Sequence, residues 1–119
     1  MNYLIHQLLN TEEINLIKKE LDKCSHQDWE DGKKTAGSYA SIVKNNLQLN
    51  RNTEVSKKNA QLITKKILSS ELIKSFSLPK RIHGIMFTKS SKNMHYGRHI
   101  DNPYMSSGRS DLSLSLIHI

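Results

Sequence analysis

The hydrophobic pattern of this chain changes its period at Pro79, and this change limits the fold more than any other feature of the sequence. Before Pro79, apolar residues recur at spacings of three and four, which is typical of amphipathic helices. After Pro79, short apolar runs and alternating apolar and polar residues take over, which is typical of strands with one buried face. Helices followed by strands indicate a single α+β domain, in which helices cover one face of a mainly antiparallel sheet.

Two helices are predicted in the first part of the chain. The first covers residues 11–25, where Asn10 is an N-cap candidate and Glu13 is its capping-box partner. The second covers residues 53–69, with a short continuation over residues 72–78 that ends before the first proline. The apolar residues that form the two helical stripes are Ile14, Ile17, Leu21 and Cys24 in the first helix and Val55, Leu62, Ile63 and Ile67 in the second.

Strands are predicted where apolar and β-branched residues run between turn signals. The predicted strands cover residues 3–9, 38–43, 81–88, 95–100 and 112–116. The segments predicted as turns or loops cover residues 26–37, 90–93 and 102–109, and residues 44–52 are predicted as a loop or an irregular edge. The last strand has no partner after it, and whole domains normally avoid such an exposed edge. We therefore expect the sheet to be incomplete at its C-terminal end.

The charge of the chain raises the question of nucleic-acid binding. The formal net charge is +7 and the pI is near 9.6. Many of the lysines occur in pairs, yet no aromatic residues lie between them to stack on bases. A solvated basic surface is the simpler interpretation, and a small basic nucleic-acid-binding protein is the alternative.

The single cysteine and the hydropathy bear on the cellular location. Cys24 cannot form an internal disulfide, which fits a reducing compartment, and its place on an apolar helix side favours a buried thiol over a reactive one. No apolar run approaches the length of a membrane-spanning helix, and the first residues do not resemble a signal peptide. We therefore expect a cytoplasmic protein without a membrane span.

One tripeptide, His99-Ile100-Asp101, combines two side chains that bind metals. In an extended backbone, residues i and i+2 point to the same face, so the imidazole and the carboxylate can converge on one ion. Two histidines and one carboxylate form the facial triad of non-haem Fe(II) oxygenases, which leaves positions open for cosubstrate and oxygen. Alone the tripeptide is a weak signal, because a surface histidine beside an aspartate that opens the Asn102-Pro103 turn would look the same.

The residues around this tripeptide resemble the iron-binding segment of the PKHD-type hydroxylases. These are bacterial relatives of the prolyl 4-hydroxylases among the Fe(II)/2-oxoglutarate-dependent dioxygenases. The segment is NMHYGRHIDNPYMSSGRSDLS, residues 93–113. It matches the family's Tyr-Gly-x-His-x-Asp and Arg-x-Asp-Leu-Ser elements at Tyr96, Gly97, His99, Asp101, Arg109, Asp111, Leu112 and Ser113. Upstream elements of the family are matched at Trp29, Asp31, Gly32, Thr35, Gly37, Val43, Lys44, Asn46 and Gln48.

The resemblance implies a double-stranded β-helix (jelly-roll) core with helices packed on one of its sheets. It implies His99 and Asp101 as two of three ligands of Fe(II), with 2-oxoglutarate as cosubstrate and ascorbate as a further cofactor. Such an enzyme converts 2-oxoglutarate and dioxygen to succinate and CO2 while it hydroxylates a substrate, which this sequence does not identify. The expected partners are these small molecules and that substrate. Family members also associate, so a homo-oligomer or a self-association module is a further alternative.

Departures from the family limit this prediction. The family's distal histidine and its 2-oxoglutarate-binding arginine lie several strands after the His-x-Asp element, whereas 18 residues follow Asp101 here. The later His118 is too close in sequence for the distal position in a jelly roll, and Ser90 stands where the family usually has a tyrosine. We therefore expect an incomplete dioxygenase domain, inactive by itself, with residues 1–78 as its helical part and residues 79–119 as its first core strands.

Overall fold

Helices and short strands are interleaved along the chain in the computed structural model, which describes residues 3–106 and 108–116. The helices are α1 (Thr11–Asp22), α2 (Ser38–Ile42), α3 (Glu54–Ser69) and α4 (Glu71–Ser77). The strands are β1 (Trp29–Asp31), β2 (Lys44–Asn45), β3 (Leu47–Leu49), β4 (Thr88–Lys89), β5 (His95–Tyr96), β6 (Tyr104–Met105) and β7 (Gly108–Arg109). This mixture confirms the α+β class. The jelly-roll core and the division of the domain near residue 79 stay predictions.

The two long helices begin where the sequence predicts them. The side-chain oxygen of Asn10 accepts a hydrogen bond from the Glu13 backbone N–H at 2.8 Å, which caps α1. The Thr53 hydroxyl accepts from the Ser56 N–H at 3.2 Å and caps α3 in the same way. Each cap joins groups three residues apart, so it depends on local sequence alone. At its other end α1 stops at Asp22, before the predicted limit at residue 25.

The predicted continuation of the second helix is a separate helix, because Ser70 interrupts the backbone. Ser70 ends α3 with φ −83° and ψ 109°, and its hydroxyl accepts from the Ile73 N–H at 3.3 Å at the start of α4. Leu78 ends α4 in the left-handed region at φ 45°, where its N–H donates to the Lys74 carbonyl at 2.8 Å. Pro79 follows and cannot continue the helix.

The strands of the described residues form small antiparallel sheets. β3 lies between β1 and β4 in a three-stranded sheet, and β6 and β7 form a separate hairpin. β2 pairs with β5, with Lys44 opposite Tyr96 and Asn45 opposite His95. This last pair brings the middle of the chain against the segment that contains His99.

The predicted strand over residues 38–43 is wrong. These residues form helix α2, in which the Ser41 N–H donates to the Gly37 carbonyl at 2.9 Å and Ala40 is buried. An apolar run this short cannot show whether its apolar residues repeat with the spacing of a helix or with that of a strand. Hydrogen bonds inside the segment therefore decide its structure.

The prediction of a loop or an irregular edge over residues 44–52 is also not met, since the segment contains β2 and β3, and β3 is the central strand of its sheet. The asparagines that indicate a loop include Asn46, which is buried in the extended segment. Strands are recognised in a sequence by alternating apolar residues. A strand that buries polar side chains lacks this signal.

The other strand predictions are only partly correct. Residues 81–88 contribute Thr88 to β4, and residues 95–100 contribute only β5. Residues 3–9 and 112–116 form no strand. Ladder hydrogen bonds require a neighbouring strand in register, which an apolar segment cannot supply for itself.

The predicted loop over residues 102–109 contains the β6–β7 hairpin. Gly108 has φ 141°, a backbone conformation that favours glycine. The hairpin is two residues long on each side, so a loop-like composition and a short ladder are compatible here.

The hydrophobic core lies between α1, α3 and α4, where four isoleucines form a buried cluster. These are Ile17, Ile63, Ile67 and Ile73. The partly buried side chains that pack against them are Leu4, Leu8, Leu9, Leu21, Leu62, Ile82, Ile85 and Phe87. In the part of the chain that the structure describes, the longest helix is α3 with 16 residues, and no helix combines the length and the apolarity needed to cross a membrane.

Candidate metal centre

His99 and Asp101 lie side by side just after β5. The Nε2 atom of His99 is 3.1 Å from the Oδ1 atom of Asp101. The Nδ1 atom of His99 is 2.8 Å from the Gly97 carbonyl oxygen. Because a carbonyl only accepts, Nδ1 carries a proton, and Nε2 faces the carboxylate, to which it donates when it carries a proton as well. The two side chains thus lie together, although they follow β5 rather than lie in it, and their role as metal ligands stays a prediction.

Contacts with β2 set the position of the imidazole. The Gly97 N–H donates to the Val43 carbonyl at 2.8 Å, and a Cβ atom at Gly97 would lie 2.9 Å from the Val43 Cβ atom. Such a contact is too close for a real side chain, so glycine permits the approach. The Tyr96 ring stacks on the His99 ring with 3.8 Å between the centroids and 12° between the planes. The segment before His99 is thus held against β2 by both its backbone and its side chains.

The carboxylate of Asp101 is oriented from its other side. The Ser113 hydroxyl donates to Oδ2 of Asp101 at 2.7 Å, while Oδ1 faces His99. The side chain of His99 is 24% exposed and that of Asp101 is 62% exposed. One side of the pair is therefore open to solvent, and a ligand from outside can reach it.

The pair has the chemistry and the spacing of two neighbouring ligands on one metal ion. Imidazole nitrogen and carboxylate oxygen suit divalent transition metals such as Fe(II). Two ligand atoms at about 2.1 Å from an ion and at right angles to each other are roughly 3 Å apart. The 3.1 Å between Nε2 and Oδ1 agrees with that geometry, and it is also the length of a direct ion pair between a protonated imidazole and the carboxylate. Histidine ligands usually donate their other N–H to a carbonyl or carboxylate, as His99 does to Gly97.

A third ligand is not part of this arrangement. Within residues 3–106 and 108–116, no three histidine, cysteine, aspartate or glutamate side chains are grouped so that they could hold an ion. His95 is exposed on β5, and Nε2 of His83 lies 3.4 Å from the Arg109 carbonyl. His118 lies outside the described residues. Among the described residues the structure thus brings together His99 and Asp101 without a third such side chain, and their role as metal ligands stays a prediction.

Sequence reasoning matched Lys44, Asn46 and Gln48 to the family but did not predict that these polar side chains are buried. Lys44, Asn46 and Gln48 are 5%, 7% and 4% exposed, and they alternate along the extended segment that contains β2 and β3. The Thr35 hydroxyl lies 2.6 Å from the Oε1 atom of Gln48 and donates to it. A Cβ atom at Gly32 would collide with the Asn46 side chain. Their spacing of two residues was the available signal, since it places all three on one side of an extended chain.

Burial shifts two pKa values in this region. Burial lowers the pKa of the Lys44 ammonium, and the Asp31 carboxylate partly offsets that effect. Burial also raises the pKa of the Tyr96 phenol, to which the Asp101 carboxylate adds. The Lys44 ammonium lies 5.0 Å from the centroid of the Tyr96 ring, so the ring partly compensates the cation for lost water.

Cys24 is not part of the candidate centre. Its sulfur lies 3.5 Å from the Glu20 carbonyl, and burial raises the pKa of the thiol, with smaller contributions from Asp28 and Glu20. A raised pKa disfavours the reactive thiolate. This agrees with the prediction of a packed thiol.

Three relatives from Prochlorococcus marinus match nearly the whole chain. A PKHD-type hydroxylase of strain MIT 9301 is 91% identical over 116 residues, which is 98% of this chain and 52% of that protein. PKHD-type hydroxylases of strains MIT 9515 and AS9601 are 66% and 69% identical over 116 residues, again 98% of this chain and 52% of each relative. No family model matches the chain, and no solved structure matches it.

These matches confirm the resemblance that the motifs around His99 and Asp101 indicate. The chain spans about half the length of the curated relatives it matches, since it covers 52% of each. Over that half, the identity is too high and too continuous to come from a shared motif alone. The chain belongs to the family of PKHD-type hydroxylases.

Proposed function

We propose that this chain provides His99 and Asp101 as two ligands of the Fe(II) ion of a 2-oxoglutarate-dependent dioxygenase. One observation supports this most directly. Nε2 of His99 and Oδ1 of Asp101 are 3.1 Å apart, while Nδ1 of the same imidazole donates to the Gly97 carbonyl. This is the arrangement by which a protein presents a histidine and a carboxylate to one ion.

Each residue of the centre has a definite part in this proposal. His99 and Asp101 would hold the iron, and the Gly97 carbonyl and the Ser113 hydroxyl would keep the two ligands oriented. Bound iron supplies the redox chemistry that couples decarboxylation of 2-oxoglutarate to hydroxylation of a substrate. Ascorbate, the hydroxylation substrate and a cytoplasmic location belong to the same proposal.

The chain itself does not provide a complete active site in this proposal. Two protein ligands on one short segment bind a metal ion more weakly than three ligands on a closed face do. The chain matches half of each relative, so we assign the third ligand and the 2-oxoglutarate-binding arginine to the part that it does not match. We therefore propose that the chain is inactive by itself.

Metal titration of the purified chain tests the proposal. Co(II) can replace Fe(II) without oxidation in air, and its visible absorption reports binding. We expect saturable binding by the native chain and at least tenfold weaker binding by His99→Ala and by Asp101→Ala. His95→Ala is the matched control, because it removes an exposed histidine four residues away that is not one of the two ligands. Equal binding by all four proteins would contradict the proposal.

No observation favours the alternative of a nucleic-acid-binding or self-association module. Several lysines that would contact a nucleic acid lie within 4 Å of a glutamate carboxylate instead. These pairs are Lys34–Glu30, Lys57–Glu54, Lys58–Glu20, Lys66–Glu13 and Lys74–Glu71.

A further inference from the structure

We propose that Tyr96 is a positioning residue for the metal centre and that it fixes the plane of the His99 imidazole from its place opposite Lys44. This inference rests on the proposed function of His99 as a metal ligand. It adds a residue that does not bind the metal but determines how well His99 can.

The rings of Tyr96 and His99 are stacked. They are nearly parallel, with 12° between their planes, and their centroids are 3.8 Å apart. At this separation the two ring faces are in van der Waals contact. The imidazole therefore cannot rotate about its Cβ–Cγ bond without colliding with the phenol ring. The stack therefore restricts the plane of the imidazole.

The stack and a hydrogen bond restrict different motions of the imidazole. The hydrogen bond from Nδ1 of His99 to the Gly97 carbonyl, at 2.8 Å, determines which ring edge faces the backbone. The stack on Tyr96 determines the tilt of the ring around that edge. Together they leave Nε2 in one position, 3.1 Å from the Asp101 carboxylate. Metal affinity gains from ligands that are held in place before the ion arrives.

Lys44 holds Tyr96 in turn. It is the direct partner of Tyr96 across the β2–β5 pair, and its ammonium lies 5.0 Å from the centroid of the Tyr96 ring. Lys44 is buried, so the ammonium has little freedom to leave the ring. The attraction between a cation and an aromatic face increases when water is excluded.

Tyr96 can be tested separately from the fold, because it is 41% exposed and lies outside the isoleucine cluster of the core. Two substitutions separate the ring from the hydroxyl group. Tyr96→Phe keeps an aromatic face on His99, and Tyr96→Leu replaces it with an aliphatic side chain. Tyr104→Leu is the matched control, since it removes an exposed tyrosine from the β6–β7 hairpin.

The experiment combines Co(II) titration with NMR of the His99 ring protons in the metal-free chain. We expect an upfield ring-current shift of these protons in the native chain and in Tyr96→Phe, and its loss in Tyr96→Leu. Co(II) binding should weaken about tenfold in Tyr96→Leu and stay within about twofold of the native chain in Tyr96→Phe and in Tyr104→Leu. A residue that only supported the fold would not give this dependence on the aromatic face.

The outcomes separate the two proposals. If the native chain binds Co(II) and Tyr96→Leu binds it equally well, the positioning role is wrong while the proposed metal centre stands. Loss of the ring-current shift in Tyr96→Leu without any loss of affinity would overturn the positioning role in the same way. If the native chain does not bind Co(II), the proposed function is wrong, and the positioning role is wrong with it.

Discussion

At the scale of single residues, Gly97 connects the backbone pairing of the chain to the candidate metal centre. Its N–H donates to Val43, and its carbonyl accepts from the His99 imidazole, both at 2.8 Å. Any displacement of Gly97 from β2 would therefore move the imidazole. Whether Gly97 is displaced depends on the room that Val43 leaves for a side chain at this position.

Replacement of Gly97 by alanine tests this connection. The new Cβ atom would lie 2.9 Å from the Val43 Cβ atom and 3.5 Å from the Val43 carbonyl oxygen, so the two segments must separate. We expect Gly97→Ala to lower the free energy of unfolding by roughly 1–3 kcal/mol, as overpacking does. Urea denaturation measures this loss, and Co(II) titration should show weaker binding by the same variant.

Gly37→Ala is the control for this substitution. A Cβ atom at Gly37 would meet nothing within 4 Å, and the backbone at φ −62° suits any residue. Its free energy of unfolding should stay within about 0.5 kcal/mol of the native value. Similar losses in both variants would mean that glycine content, and not the contact with Val43, explains the effect.

At the scale of secondary-structure elements, helices α1 and α3 are joined by polar contacts beside the isoleucine cluster. The Lys58 ammonium donates to Oε1 of Glu20 at 2.6 Å, and the Asn59 side chain donates to Oε2 at 2.9 Å. Hydrogen bonds from Lys58, and then from Asn59, hold the pKa of the Glu20 carboxyl below its usual value of 4.5. The ionised form of Glu20 is thus favoured in the folded chain.

This shift makes stability depend on pH in a definite direction. A carboxyl whose pKa is lower in the folded than in the unfolded chain stabilises the fold above the unfolded value, and that contribution is lost as the pH falls through the folded value. We expect Glu20→Gln to be less stable than the native chain at neutral pH, and the gap to narrow as the pH falls through the folded pKa of Glu20. Urea denaturation at a series of pH values measures the difference. A gap between the two proteins that does not change with pH would contradict the assignment.

The elements also differ in how far they could be predicted. The starts of α1 and α3 follow from Asn10 and Thr53, because a cap needs only a donor and an acceptor three residues apart. β2 and β3 could not be predicted, because Lys44 and Asn46 are buried by partners from distant parts of the sequence. The polar side chains of these two residues suggested that they are exposed, whereas the strand pairing buries them.

At the scale of the whole molecule, the residues after β5 expose several apolar side chains. Ile100, Tyr104, Leu112 and Leu114 are all exposed. Single apolar residues on a surface are ordinary, but several of them within fifteen residues of the chain favour an interaction surface. We expect the part of the relatives that this chain does not match to pack against this segment.

Complementation tests that expectation together with the proposed inactivity of the chain. The part that this chain does not match can be taken from the relative of strain MIT 9301, of which the chain covers 52%. We expect no 2-oxoglutarate-dependent succinate release by the chain alone with Fe(II), and clear release after co-expression with that part. Size-exclusion chromatography should show the two polypeptides eluting together.

A pair of leucines provides the control. Leu114→Ser should weaken the association, whereas Leu16→Ser on α1 should not, although the two leucines are 54% and 55% exposed. Turnover by the chain alone would contradict the proposed inactivity. Equal effects of the two substitutions would place the contact elsewhere on the surface.

Much of the candidate centre was accessible from local sequence. His99 and Asp101 are two positions apart and lie in contact, so neither residue needs a distant partner to meet the other. The orienting contacts were not accessible in the same way. Ser113 is twelve residues from Asp101, and Lys44 and Tyr96 meet only because β2 pairs with β5.

The sequence by itself thus determined the helix starts, the α+β class and the two candidate ligands, because each depends on groups within a few residues of one another. The family membership was also readable there, in motifs that the relatives then confirmed. Only the tertiary structure decided that Lys44 is buried, that Gly97 must lack a side chain and that Tyr96 covers the His99 ring. The first two of these features arise from pairing between residues about fifty positions apart, and no local pattern specifies such a partner.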